Sequence, residues 1–225
     1  MLYLFFLAHL VADFMLQPLW LIQRKRYWYG LVIHVGLVLV CMLAIIPFEP
    51  RAAALWPVMM GISVVHFGAD HWKIQYGDRM VRSPLLAFLL DQVIHAVTII
   101  IGLSLALPLE QVWSLQTSAF ALPAIYAICY LLASFAAPIT LIVALDPTFK
   151  HASLAAAARV RSLVAAVVVL SLAIFVTPVA LPATLAGIAA ATRHPASGHP
   201  LDSPLGLMVV VLVAASLGAV LTLVL

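Results

Sequence analysis

Apolar residues run along this chain in stretches of about 20, the length that crosses a bilayer as helix, cut by short polar or proline-containing breaks. The runs lie near residues 2–22, 28–46, 54–72, 85–107, 119–145, 160–180 and 205–225. They predict an all-α, polytopic transmembrane bundle of about seven helices. The fifth run is long and contains Pro138, which removes a backbone donor and predicts a kink or tilt there.

Composition agrees with this reading. Of the 225 residues 66% are hydrophobic and 8% charged, where a soluble domain would carry roughly a quarter charged residues. The formal charge of +3 is therefore no nucleic-acid signal. It acts instead through its distribution over the loops. Arg24, Lys25 and Arg26 fall in the first loop, Lys73, Arg79 and Arg82 in the third, and Lys150, Arg159 and Arg161 in the fifth. The second loop has only Arg51, the fourth no basic residue and the sixth only Arg193. Basic loops stay cytoplasmic, so the N-terminus is expected outside and the C-terminus inside. Trp20, the Tyr-Trp-Tyr at 27–29, Trp56, Trp72 and Trp113 fall near predicted helix ends, where amphipathic rings prefer to sit.

The first run lacks a basic leader and a small-residue cleavage site, and carries His9 and Asp13, so it reads as a retained helix. Cys41 and Cys129 stand alone in apolar runs and read as packing residues. The turn-rich stretch 193–200 holds His194 and His199 with no third ligand nearby, and reads as a solvated loop.

Against this apolar background, ionisable groups repeat. His9 and Asp13 in "HLVAD" recur as His66 and Asp70 in "HFGAD". Each is followed by a basic turn and then "VIH", ending at His34 and at His95. Helices one and two thus read as a parallel duplicate of helices three and four, and residues 1–107 as a duplicated two-helix unit with 108–225 as an accessory three-helix region. The copies differ at one place: Gly30 stands where the second has Asp91.

His9/Asp13, His66/Asp70 and Asp91/His95 are i,i+4 pairs, each on one helix face. Counted from the predicted cytoplasmic ends, all seven groups fall about 4–20 Å into the inner half of the bilayer. Each intramembrane charge costs about 2.5–3.5 kcal/mol on insertion scales, so a compensating interaction is required. Helix-locking hydrogen bonds are one. A metal held by His9, Asp13, His34, His66, Asp70, Asp91 and His95 is the other, and convergence at one depth favours it. Imidazole and carboxylate without thiolate suit zinc foremost, then manganese or iron, as one ion or two. Gln17, Gln92 and Lys73 neighbour the stripe; Lys73 is expected to snorkel to headgroups rather than pair with a substrate phosphate. His71 is expected to be interfacial.

At "HLVADFMLQ" (9–17), His34, "HFGAD" (66–70) and "LDQVIH" (90–95) the chain resembles an uncharacterised bacterial integral-membrane family, domain of unknown function 3307, over about residues 1–107. The resemblance implies that these polar residues act as a set in a bacterial cytoplasmic (inner) membrane, and implies no activity.

Three functions fit. The first is a metal-dependent hydrolase of a lipid or membrane-embedded substrate, with Asp13, Asp70 or Asp91 as ligand or general base. The second is a metal-ion or proton transporter or channel, which the lack of a polar track in the outer half disfavours. The third is a non-catalytic structural or assembly protein. No HExxH, GxSxG or phosphatase-type motif is present, and no signal bears on oligomeric state.

Overall fold

A computed structural model describes residues 1–115, 118–146, 156–176 and 199–224. The described residues are overwhelmingly helical and contain no strand. Five helices among them are long and apolar enough to cross a membrane: Pro50–Gly77, Pro84–Ala106, Ala121–Leu145, Ala158–Phe175 and Pro204–Leu223. Two more apolar helices, Leu2–Met15 and Trp28–Leu43, are shorter. At 1.5 Å per residue they reach about 21 and 24 Å, short of the roughly 30 Å hydrocarbon core. The apolar helices suit a membrane protein.

The chain divides into two compact units, Met1–Ile128 and Cys129–Leu225. In the first, α1 (Leu2–Leu10) widens into a π turn at Val11–Met15, where the Leu16 N–H donates to the Val11 carbonyl at 2.9 Å. The first helix predicted from sequence does not run on to residue 22. Pro18 pushes Gln17 out of the helical region, and a separate α2 (Leu19–Arg24) follows. Next come α3 (Trp28–Leu43), a 3₁₀ turn at Pro50–Leu55, α4 (Trp56–Met80), α5 (Pro84–Ala106) and the short α6 (Leu109–Trp113). Proline at the first helical turn opens α4 and α5, and the Ser83 hydroxyl caps α5 by accepting from the Leu86 N–H at 3.3 Å.

The third predicted helix extends well past residue 72, so Trp72 and Lys73 lie within α4 rather than in a loop. Depths counted from the expected ends shift with these corrections: Asp13 sits close to the end of its helix, and Asp70 lies some ten residues from the end of α4.

Four helices close a ring in which α1 packs on α3 and α5, α3 on α4, and α4 on α5. Buried residues follow four-residue steps along each: Phe5 and His9; His34, Val38 and Met42; Ile62, His66 and Asp70; Asp91, His95, Ile99 and Leu103. Gly102 lets α4 approach α5, since a Cβ there would lie 3.0 Å from Ile62. Two hydroxyls in these apolar helices bond to their own backbone, Ser63 donating to the Met59 carbonyl and Thr98 to the Ile94 carbonyl, each at 2.8 Å. Trp20, Trp28, Trp56 and Trp113 are exposed at helix ends.

α7 (Ala121–Leu131) begins in the first unit and ends in the second, where the chain passes through a π turn, Leu132–Ala136, into α8 (Ala137–Leu145). The turn stands just before Pro138, and the Ala137 N–H donates to the Leu132 carbonyl. Widening the helix is how this run accommodates a ring that would otherwise clash with the carbonyl four residues back. α9 (Ala156–Phe175) packs along α10 (Pro204–Val224), and the Arg161 guanidinium donates to Asp202. His199 is buried rather than in a solvated loop, its Nδ1 accepting from the Leu201 N–H at 3.1 Å. His194, Arg193 and Lys150 lie outside the described residues. Cys41 and Cys129 are free thiols, half-buried and buried.

Candidate metal centre

The four-residue steps stack an apolar layer, an imidazole layer and a carboxylate layer inside the first unit, with two lysines at the rim. Phe5, Val38, Ile62 and Ile99 form an apolar floor. Above it lie the imidazoles of His9, His34, His66 and His95, all almost fully buried. Beyond them come Asp13, Asp70 and Asp91, and then Lys25 and Lys73 at the more exposed rim.

The imidazoles contact one another directly. His34 Nε2 and His66 Nε2 are 3.0 Å apart, the His66 and His95 rings 3.9 Å between centroids, and His9 stacks on His95 at 5.3 Å. Asp13 Oδ1 lies 3.4 Å from His34 Nε2, 3.9 Å from His66 Nε2 and 3.8 Å from His9 Nδ1, with no hydrogen bond to any of them. Asp70 Oδ2 lies 3.5 Å from His34 Nε2 and 3.8 Å from His66 Nε2.

His34 Nε2 and His66 Nε2, at 3.0 Å, are within hydrogen-bond reach of each other, but the carboxylate–imidazole separations exceed the usual hydrogen-bond lengths of about 2.7–3.2 Å. They match the edges of a coordination polyhedron instead, because donors at about 2.1 Å around a tetrahedral ion lie about 3.4 Å apart. A point equidistant from His34 Nε2, His66 Nε2 and Asp13 Oδ1 lies about 2.0 Å from each, the length of a zinc–nitrogen bond. Two three-residue groups have donor atoms close enough together to hold an ion: Asp13, His34 and His66, and His66, Asp70 and His95.

Support around these donors is uneven. The His95 Nδ1–H donates to the Asp91 carbonyl at 2.7 Å, which leaves Nε2 as the bare nitrogen, buried and without a partner. Such a bond fixes tautomer and ring angle, as the outer contacts of metal-binding histidines do. His9 Nε2 is likewise unpartnered. Asp91 lies outside both three-residue groups. Its Oδ2 accepts from Lys73 Nζ at 2.7 Å and from Gln92 Nε2 at 3.3 Å. Lys73 therefore reaches inward rather than snorkelling to headgroups, because α4 continues past it and holds its stem along the bundle. His71 is exposed and stacks on Phe67.

Lys25, which the sequence assigns only to a basic loop, donates to Asp70 Oδ2 at 2.8 Å. With the Gln17 amide oxygen facing it, Gln17 accepts from Lys25 Nζ at 2.7 Å and donates to the Asp13 carbonyl at 2.9 Å. The close turn back into α3 depends on Gly30, where a Cβ would sit 2.1 Å from the Arg24 carbonyl oxygen. Gly30, which reads in sequence as a missing fourth carboxylate, is a steric requirement of that turn.

Fold and site together define an all-helical protein with membrane-compatible apolar helices and a buried His/Asp cluster able to hold a metal ion. The family described as Protein of unknown function (DUF3307) matches residues 1–122, more than half of the chain, and the chain belongs to it. No curated protein and no solved structure matches the chain.

Proposed function

We propose that this is an integral-membrane metalloprotein of the bacterial cytoplasmic membrane that holds one divalent ion, zinc foremost, inside its N-terminal helix ring. Asp13 Oδ1 carries the reading: a carboxylate oxygen, on a side chain 7% exposed, ringed by three imidazole nitrogens yet hydrogen-bonded to none. A buried anion of that kind is costly until a cation joins it. Of the seven candidate ligands, His34, His66, Asp13 and Asp70 form the central donor set, with His9 and His95 flanking it. Each imidazole nitrogen has one lone pair, so His34 and His66 serve one ion rather than two.

The alternating basic loops support cytoplasmic placement of loops one, three and five, and with it an inner-leaflet site. The repeated motifs support a duplicated hairpin over 1–107 with 108–225 accessory to it. Bound zinc would supply Lewis acidity and an activated water. A hydrolase acting on a lipid or membrane-embedded bond would use that water with Asp13, Asp70 or Asp91 as base. The space on the apolar side of the imidazoles, lined by His9, Val38, Met42, Ile62, His66, His95, Thr98 and Ile99, has no room for a water molecule, so the water a hydrolase needs would have to stand on the lysine side. Ion holding needs no such water, and is the reading the geometry supports best.

A second reading rests on the Lys25–Asp70 and Lys73–Asp91 ion pairs, which tie α2 and α5 to α4 and suit a packing lock. Elemental analysis of detergent-purified protein decides between them. The metal reading expects about one zinc, manganese or iron per chain, lost in His34→Ala and His66→Ala. Protein that is folded and metal-free after growth and purification with added zinc would overturn it in favour of the lock.

A further inference from the structure

The two lysines differ in what they touch, and the difference bears on how an ion enters. Lys73 pairs with Asp91, which lies outside the donor groups. Lys25 pairs with Asp70, and on Oδ2, the oxygen nearest His34 Nε2 and His66 Nε2. Its ammonium thus occupies a donor that the ion would use. It is also held by two acceptors rather than one, since the Gln17 amide oxygen meets it at 2.7 Å.

Charge points the same way. With neutral imidazoles, the cluster carries three carboxylates against two ammonium groups. A dication together with Lys73 neutralises the three carboxylates. A dication with both lysines in place leaves one excess positive charge in a low-dielectric interior, beside the ion. Lys25 can leave: its side chain is 13% exposed, and it follows the end of the short α2 on a four-carbon stem that can carry the ammonium to the surface.

Resting on the metal reading above, we propose that Lys25 is a built-in counter-cation, which occupies Asp70 when no ion is bound and is displaced by the entering divalent ion. The lysine keeps Asp70 compensated without metal, and the site accepts an ion only by exchanging one cation for another. Lys25 then sets selectivity as well. A monovalent ion merely replaces the charge it expels, whereas a divalent ion also compensates Asp13.

The test is zinc titration of purified full-length protein in detergent against a chromophoric chelator, with Lys25→Met, Lys25→Gln, Lys25→Arg and Lys73→Met beside the wild type. Displacement expects Lys25→Met and Lys25→Gln to bind zinc at least about tenfold more tightly, an expectation set by removing a unit charge within a few ångströms of a dication. Lys25→Arg should stay within about threefold of wild type, having kept the charge. Lys73→Met should gain less than either neutral Lys25 variant. Should Lys25→Met fail to fold, Lys25→Gln, which keeps a polar group for Gln17, carries the same expectation. Neutral variants that bind zinc equally or more weakly overturn the proposal and make Lys25 a residue that positions Asp70, while the metal reading stands. Zinc binding to none of the proteins overturns the metal reading itself, and this proposal with it.

Discussion

Asp13→Asn keeps the shape of the side chain and removes its charge, and the two readings of the cluster expect opposite signs from it. Asp13 makes no hydrogen bond through Oδ1 and faces His9, His34 and His66 at 3.4–3.9 Å. The two lysines are engaged by Asp70 and Asp91, which leaves Asp13 as the charge without an ammonium partner. A lone carboxylate in a bilayer interior costs about 2.5–3.5 kcal/mol. Removing it should therefore stabilise metal-stripped protein by up to about 3 kcal/mol. For a chain of this size, 1 kcal/mol moves Tm by about 2–4 °C, so a rise of several degrees is expected. Zinc at about 100 times Kd adds about 2.7 kcal/mol to a protein that binds it only when folded. That gain should appear in wild type and be mostly absent in Asp13→Asn. The assay is thermal unfolding in detergent, with chelator and with zinc, for both proteins. If Asp13 is instead a member of a helix lock, breaking it costs about 3–5 kcal/mol. A large fall in Tm for metal-stripped Asp13→Asn, with zinc moving neither protein, would refute the reasoning.

Three other substitutions probe the surrounding structure. Gly30→Ala places a Cβ 2.1 Å from the Arg24 carbonyl oxygen; the turn must open, at a cost of about 1–3 kcal/mol, read as a lower Tm. Phe5→Ala empties a fully buried position in the apolar floor and should cost about 3–5 kcal/mol while leaving metal stoichiometry unchanged, by melting and elemental analysis together. Glu49, which precedes the 3₁₀ turn, accepts from Arg51 at 2.7 and 3.1 Å, and that bonding holds its carboxyl below the ordinary value of 4.5. A depressed folded pKa gives stability that is present above about 4.5 and lost as pH falls through the folded value. Arg51 is largely exposed, so solvent screening keeps the effect small; melts between about pH 6 and 3 should show a shallow slope in wild type and less of it in Glu49→Gln.

Much of the site is legible in the sequence because an α-helix turns a four-residue spacing into a shared face. His9 with Asp13, His66 with Asp70 and Asp91 with His95 announce their faces directly, and burial gives them no other direction to point. Helix ends are less legible. The apolar run past Met15 hides the break, because Leu19, Trp20, Leu21 and Ile22 are as apolar as what precedes Pro18. Polar residues from Gln75 to Arg79 hide the continuation of α4 in the same way. Lys25 was beyond reach for a further reason. Its partner is 45 positions away, and its aim depends on a turn whose tightness shows only where Gly30 meets Arg24. A basic loop read for membrane orientation gives no hint that one of its charges turns inward.

The layering also bears on which chemistry the ring can perform. On one side of the imidazoles, Phe5, Val38, Ile62, Ile99 and Leu103 close the bundle in a buried cluster, and no water fits against His9, His66 and His95 there. On the other side exposure rises from the acids to Lys25 and Lys73. On the proposed metal reading, an ion reaching His34 and His66 would arrive and leave through the lysine rim. Transport across the membrane would require the apolar floor to part, and with it the α4–α5 contact at Ile62 and Gly102, where the helices already touch. Hydrolysis asks for less: a substrate bond need only come to the rim side, where displacing Lys25 from Asp70 would uncover a carboxylate next to the donor nitrogens. On the proposed metal reading, an ion accessible from one side only would suit a reactive centre more than a channel, and Lys25 rather than the floor would stand in its way.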